Sequence, residues 1–352
     1  MNTSFVLTDT QRTAINYAKA IGILLVVIGH FTNSASDIIR PYIFHMPLFF
    51  FIGGVVYKEK SNKVIIVSAI KRYWLYLLVC YVITGLVAVF FHHYFGTIAR
   101  TPFSDGILST LSMVIDNKFN NNPWFIFGWF LLSYPLVIII ANIYNKISRG
   151  RAKQVILFIA LASYAYYITN HLSLYALSSK SFSINLFCQI SVGLFYFILG
   201  ATFKEIIFKI NGVFSLFILV IIYYSLCNMG LISEMGMSFS RYPYGFLSHT
   251  VGALIGIAII FNFAILLSST KKDAIFEYIG LRSKDVMTFH MLAFSLIDTI
   301  FIMLGIYTPG HNPGILDHYY SNYSFPIYFI SGIFISIGCG VLIERVTKGW
   351  IR

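Results

Sequence analysis

Residues Lys19-Ala20-Ile21-Gly22-Ile23-Leu24-Leu25-Val26-Val27-Ile28-Gly29-His30 form an apolar run with a lysine at one end and a histidine at the other. After a short polar gap the chain continues Phe44-His45-Met46-Pro47-Leu48 and enters a run of phenylalanines. Apolar residues in an unbroken series of this length predict a helix. At about 100° per residue, Lys19 and His30 are three turns apart on one face, about 16 Å along the axis. Ionisable groups inside an apolar helix are costly to bury, so they are functional candidates from the outset. Gly22 and Gly29 leave room there for close helix packing or for a ligand.

The rest of the composition agrees with a membrane setting. The chain has 352 residues, of which 58% are hydrophobic and 11% charged, and a mean hydropathy of +0.77. A soluble protein of this size could not cover that much apolar surface, so a polytopic membrane protein is expected. The net charge of +12 then points to basic loops on one side of a bilayer rather than to nucleic acid. Cys80, Cys188, Cys227 and Cys339 lie far apart in apolar stretches and read as small core hydrophobes, neither disulfides nor metal ligands. The first twelve residues are mostly polar and the first apolar run has no small-residue cleavage site, so that run is expected to stay as an anchor.

A span needs about 20 mostly apolar residues. Ten segments qualify: 15–33, 41–57, 73–95, 124–144, 154–171, 184–203, 213–229, 244–267, 286–306 and 325–343. With the N-terminus placed in the cytoplasm, twenty of the 25 Lys and Arg residues fall in inside regions. Only Arg40, Arg100, Lys118, Lys180 and Arg241 fall outside. That asymmetry predicts an all-α integral membrane protein of about ten transmembrane helices, with both termini cytoplasmic and residues 1–352 forming a single membrane domain. Residues 107–115 are apolar but too short to span and are expected to lie at the interface or re-enter.

Several constellations could carry chemistry. His45 is expected at the same depth as His30, on the other arm of the first hairpin, where the two could serve as base and acid or one could orient the other. No third ligand stands at helical spacing to either, so no metal site is expected. Arg72 enters the third span beside Tyr73 and Trp74 and could grip a phosphate bidentately. In the ninth span, Arg282, Lys284 and Asp285 precede His290 and Asp298. Asp298 must be paired, hydrogen-bonded or protonated, and His249 at the end of the eighth span is a candidate neighbour. Trp124 at the start of the fourth span reads as an aromatic-belt residue. His92, His93, His311 and His318 read as surface histidines. Gly-rich phosphate loops, Cys-x-x-Cys pairs and Gly-x-Ser-x-Gly elbows do not occur.

Together these residues resemble the membrane acyltransferase 3 family, which includes O-acetyltransferases of cell-surface polysaccharides and the fucose 4-O-acetylase-like branch. Lys19 and His30 are similar to the family's basic residue, ten residues, then histidine. The basic position often carries lysine in the fucose-acetylase-like branch and arginine elsewhere, and Asn16 stands where many members have aspartate. The segment from Phe44 to Gly54 resembles the second-span signature, with Gly53 where serine is common. Lys71-Arg72, Pro123-Trp124-Phe125 and the series Ile279-Gly280, Ser283, His290 resemble three further elements, in family order.

The resemblance implies an acyltransferase moving an acetyl or other acyl group from cytoplasmic acyl-CoA, usually acetyl-CoA, to a sugar hydroxyl, often on a lipid-linked saccharide. It implies a multi-pass protein of the bacterial inner membrane that serves cell-envelope polysaccharide biosynthesis. Acyl-CoA would be a donor substrate rather than a bound cofactor. His30 would act as general base or transient acyl acceptor, His45 as its orienter or acid, and Lys19, Arg72, Arg282 and His290 would hold the donor. The rival reading is a proton-coupled transporter or flippase, which intramembrane His and Asp would also suit. Matching broken helices in two halves, expected of such a transporter, are not visible in the sequence.

Overall fold

The computed structural model describes residues 6–31, 34–95, 102–115, 118–179, 181–270, 273–308, 310, 317–321 and 323–350. His311, Arg100, Lys180, Lys271, Lys272 and Arg352 lie outside the described residues. Among the described residues there is no strand. In chain order the helices are α1 (Asp9–Gly29), α2 (Ser34–Ile39), α3 (His45–Val55), α4 (Asn62–Phe95), α5 (Ile107–Ile115), α6 (Gly128–Ile147), α7 (Ala152–Ser179), α8 (Phe182–Ile207), α9 (Val213–Asn228), α10 (Gly245–Thr270), α11 (Ala274–Leu281), α12 (Ser283–Met303) and α13 (Ser324–Val346).

Among the described residues, eight helices are long and apolar enough to cross a bilayer, and a ninth if the segments Ala35–Ile43 and His45–Val55, broken at Phe44, count as one span. The remaining expected span is α9, which has 16 residues and falls short of the length that a full crossing needs. All ten expected segments are therefore helical, and the protein is an all-α multi-pass membrane protein. Residues 107–115 form the short apolar helix α5, nine residues long. The fourth span begins at Gly128 rather than Trp124, because residues 119–127 fold into turns.

The chain divides into two compact units. The first holds Met1–Ile23, Arg40–Val67 and Ser133–Leu281; the second holds Leu24–Ile39, Ser68–Leu132 and Arg282–Arg352. In the first, α3 and α8 meet backbone to backbone. A Cβ on Gly54 would strike the Phe197 carbonyl, and one on Gly200 would strike the Phe51 carbonyl. Within a bilayer no aqueous hydrophobic drive holds helices together, so such close approach supplies the dispersion contacts that do. The same unit ties α11 to the start of α1. The Asn16 side-chain amide donates to the Glu277 carboxylate at 3.1 Å, and the ring of Phe276 meets Tyr17 edge-on.

In the second unit, α12 packs along α13. Gly332 admits Phe294, and Gly340 admits the Asp285 carboxylate. The segment before α6 is anchored by polar groups rather than lying in an interfacial belt. Asn122 is fully buried, its amide donates to the Thr84 hydroxyl at 2.9 Å, and its side-chain oxygen accepts the Trp124 backbone N–H. Trp124 itself is 2% exposed and donates its indole N–H to the Ser295 hydroxyl at 2.7 Å. The belt reading of Trp124 is thus corrected. A buried indole needs an acceptor, and Ser295 on α12 provides one.

Candidate active site

The second unit assembles the site. α1 ends at Gly29, and the His30 N–H still donates to the Val26 carbonyl at 3.2 Å, so His30 stands on the last turn. Its ring centroid is 5.2 Å from that of His290 on α12. Phe127 closes the group, 4.7 Å from His30 and 4.5 Å from His290. Three rings from three separate stretches of sequence therefore touch.

The hydrogen bonds of His290 fix its tautomer. Its Nδ1 faces the carbonyls of Val286 at 2.9 Å and Met287 at 3.0 Å. Carbonyls only accept, so Nδ1 carries the proton and Nε2 keeps its lone pair. His290 is fully buried, and Nε2 has no hydrogen-bond partner among the described residues. Leaving a buried polar atom unsatisfied costs about 1–3 kcal/mol. Such an atom in a folded protein calls for an explanation, and a ligand or a proton in transit is one.

One end of α12 is crowded with charge. Arg282 donates to the Glu344 carboxylate at 2.7 Å and to Asp285 at 3.4 Å. Asp285 is 1% exposed and also accepts the Tyr76 hydroxyl at 3.3 Å. The Lys284 ammonium lies 3.8 Å from the centre of the Tyr76 ring and donates to the Arg72 carbonyl at 3.2 Å. Arg72 sits in a π-helical turn, Ile70–Trp74, inside α4. A π-turn lengthens the backbone hydrogen-bond ladder locally and recurs at functional sites; here the Arg72 carbonyl serves Lys284 while its guanidinium is exposed.

The other end of α12 carries Asp298. Sixteen residues separate it from Arg282, about 24 Å along the helix, with His290 halfway. Its partner is His318, from the segment before α13. The His318 Nδ1–H donates to Asp298 Oδ2 at 2.7 Å, the Tyr319 N–H donates to Oδ1 at 3.3 Å, and the Tyr328 hydroxyl also donates to Oδ1. The His318 side chain is 4% exposed, which corrects its reading as a surface histidine. His249, the expected neighbour of Asp298, belongs to the first unit. There its Nδ1–H donates to the Ser233 carbonyl at 3.2 Å and its Nε2 accepts the Tyr244 N–H at 3.1 Å.

Of the six residues singled out in the sequence, His30, Arg72, Arg282 and His290 fall in the second unit. Lys19 and His45 fall in the first, where Lys19 is half-buried on α1 and His45 is 5% exposed, its Nδ1–H donating to the Pro41 carbonyl at 2.8 Å. Phe127, which meets both histidine rings, and His318, which pairs with Asp298, were not singled out in the sequence. Among the described residues no group of three or more His, Cys, Asp or Glu side chains is placed to hold a metal ion.

A sequence profile of the acyltransferase 3 family, described as an acyltransferase domain, matches residues 12–345. No curated protein and no solved structure matches the chain. The match takes in most of α1 together with His30, the π-turn at Arg72, the whole of α12 and most of α13, and the chain therefore belongs to the acyltransferase 3 family of membrane acyltransferases.

Proposed function

We propose that this membrane acyltransferase takes its acyl group from acyl-CoA, acetyl-CoA in the first instance, and passes it to a hydroxyl of a sugar or lipid-linked saccharide of the cell envelope. The observation that carries the reading is the His30–His290 pair, in which the His290 ring has an imine nitrogen without a partner among the described residues and the His30 ring lies beside it at the end of an apolar helix. Two adjacent imidazoles, one with a fixed tautomer, suit a nucleophile and its base.

In this mechanism the unprotonated ring nitrogen of His30 attacks the thioester carbonyl carbon. The C–S bond breaks, and the proton on the other ring nitrogen of His30 moves by way of His290 Nε2 to the leaving thiolate. Free CoA and an acyl-histidine result. The acceptor hydroxyl then attacks the same carbonyl carbon, the C–N bond breaks, and His30 is restored. Arg72 grips the CoA phosphates, as its exposed guanidinium at a π-turn suits. Arg282, held between Asp285 and Glu344, orients that end of α12. The basic end then faces the cytoplasm, as the loop charges favour, in a bacterial inner membrane.

The experiment uses the purified full-length protein in liposomes. With acetyl-CoA and no acceptor, intact-mass analysis is expected to show one acetyl group, mapped by peptide sequencing to His30. His30→Ala is expected to lose both the label and at least about a hundredfold in CoA release, the scale on which removing such a nucleophile or base acts. Near wild-type turnover in a folded His30→Ala protein would sink the mechanism.

A further inference from the structure

The Asp298–His318 pair has no part in the donor chemistry above, yet it is built as a proton-handling group. The carboxylate accepts three hydrogen bonds, from the His318 ring, the Tyr319 backbone and the Tyr328 hydroxyl. A carboxylate bound in this way is acceptor-only, so the ring proton of His318 sits on Nδ1 and its lone pair on Nε2. That Nε2 is buried and has no partner among the described residues. A carboxylate that fixes one imidazole nitrogen while the other stays available is the arrangement that orients a general base.

The surroundings say what the base would meet. The ring of Phe31, next in the chain to His30, lies parallel to that of His318 at 6.2 Å and 9°. Tyr320 also stacks with Phe31, at 6.4 Å, and is 62% exposed. Phe294 meets the His318 ring edge-on at 5.1 Å and the His290 ring at 5.9 Å. His318 is therefore one aromatic layer from the His30–His290 pair, and Phe31 contacts both its ring and the exposed Tyr320. Tyr319 and Tyr323 share a hydrogen bond between their hydroxyls at 2.9 Å close by. Flat aromatic faces beside phenolic hydroxyls fit a ligand with apolar C–H faces and many hydroxyls. The group also lies at the end of α12 away from Arg282, about 24 Å along the helix.

We infer that Asp298 and His318 form the acceptor site, with His318 Nε2 as the base for a carbohydrate hydroxyl. This rests on the sugar-acceptor reading above and adds the residue that activates the acceptor. A histidine that holds the acyl group cannot also take the incoming proton on the acylated nitrogen, so the second half of the reaction needs another base. The sugar O–H proton passes to His318 Nε2 as the oxygen bonds to the acyl carbon and the C–N bond to His30 breaks. His30 takes up one proton from water, and His318 releases one to water. Asp298 is a positioning residue, acting through His318.

The test uses full-length protein in liposomes, with CoA affinity, acetylation of His30 and transfer to methyl glycopyranosides measured separately. His318→Gln and Asp298→Asn are expected to keep CoA affinity and His30 acetylation within about twofold of wild type. Acyl transfer to the glycoside should fall about a hundredfold, the scale of a lost general base. Imidazole added to His318→Gly should restore part of that transfer, which a merely structural role would not allow. Glycoside transfer within threefold of wild type in His318→Gln would overturn the inference, as would loss of CoA affinity in both folded variants.

A second measurement keeps the two proposals apart. Carbethoxylation of His318, followed by mass spectrometry, is expected to be slowed by methyl glycopyranosides and not by CoA. If wild-type protein binds no acyl-CoA, the donor reading fails, while protection of His318 by the glycoside still supports the site. Absence of that protection overturns the site whatever the donor reaction shows.

Discussion

His249 in the first unit and His290 in the second are both buried in apolar helices, and they differ in how their nitrogens are used. His249 gives one nitrogen to the Ser233 carbonyl and the other to the Tyr244 N–H. His290 gives Nδ1 to two carbonyls, and its Nε2 is left without a partner among the described residues. The first pattern completes a fold, because it pins a turn to a helix and satisfies every polar atom involved. The second leaves a fixed lone pair on a ring whose centroid is 5.2 Å from that of His30. Burial alone does not separate a structural histidine from a reactive one. The accounting of both ring nitrogens does, and His318 falls on the side of His290.

The strongest way to break that contrast is to remove the lone pair. His290→Ala is expected to lower kcat/KM for acyl transfer by about 10² to 10⁴, the usual contribution of a positioned base, with CoA affinity little changed. His290→Asn, which keeps a polar group against the carbonyls of Val286 and Met287, should fold better and stay as inactive. If either variant retains more than a tenth of wild-type turnover, the unpartnered nitrogen is a packing accident.

A middle-sized effect is expected at the charged end of α12. Arg72→Ala should raise the KM for acyl-CoA about tenfold with little change in kcat, since one charge-assisted contact is worth about 1.4 kcal/mol and each such increment is a decade in affinity. Lys19→Ala should act in the same direction if the family resemblance carries to that residue. A fall in kcat at unchanged KM in Arg72→Ala would instead make the π-turn a structural support for Lys284.

The helical membrane fold was readable from sequence, and the residues singled out as candidates stood out there for a physical reason. Lys19, His30, Arg72, Arg282 and His290 interrupt or border apolar helices, and ionisable groups there are conspicuous because they are costly. All ten expected spans are helical, since apolar runs near 20 residues leave the backbone few other ways to satisfy its hydrogen bonds. Three features were hidden. The π-turn at Ile70–Trp74 has no composition signature of its own. Trp124 looks like an interfacial anchor until Ser295 is found beside its indole N–H. His318 lies in a polar aromatic segment where a histidine is unremarkable, and only its pairing with Asp298 sets it apart. A signal for that pairing did exist, because an aspartate in an apolar span demands a donor, and His318 follows only 20 residues later.

The smallest catalytic effect should come from the other half of the comparison. His249→Ala removes an acceptor from the Tyr244 N–H and a donor from the Ser233 carbonyl, both in partly buried hydrogen bonds. The expected loss is about 1–3 kcal/mol of stability, seen as a lower Tm by a few degrees in detergent. The transfer rate at a temperature well below Tm should stay within about twofold of wild type. His249→Gln should recover part of the stability, because its amide can both donate and accept along a similar reach. The decisive result is the pairing of the two readouts. A histidine with both nitrogens tied to backbone should move Tm and leave kcat, whereas His290 and His318 should move kcat. If His249→Ala kept its Tm and lost its turnover, hydrogen-bond satisfaction would not distinguish the histidines of this membrane acyltransferase.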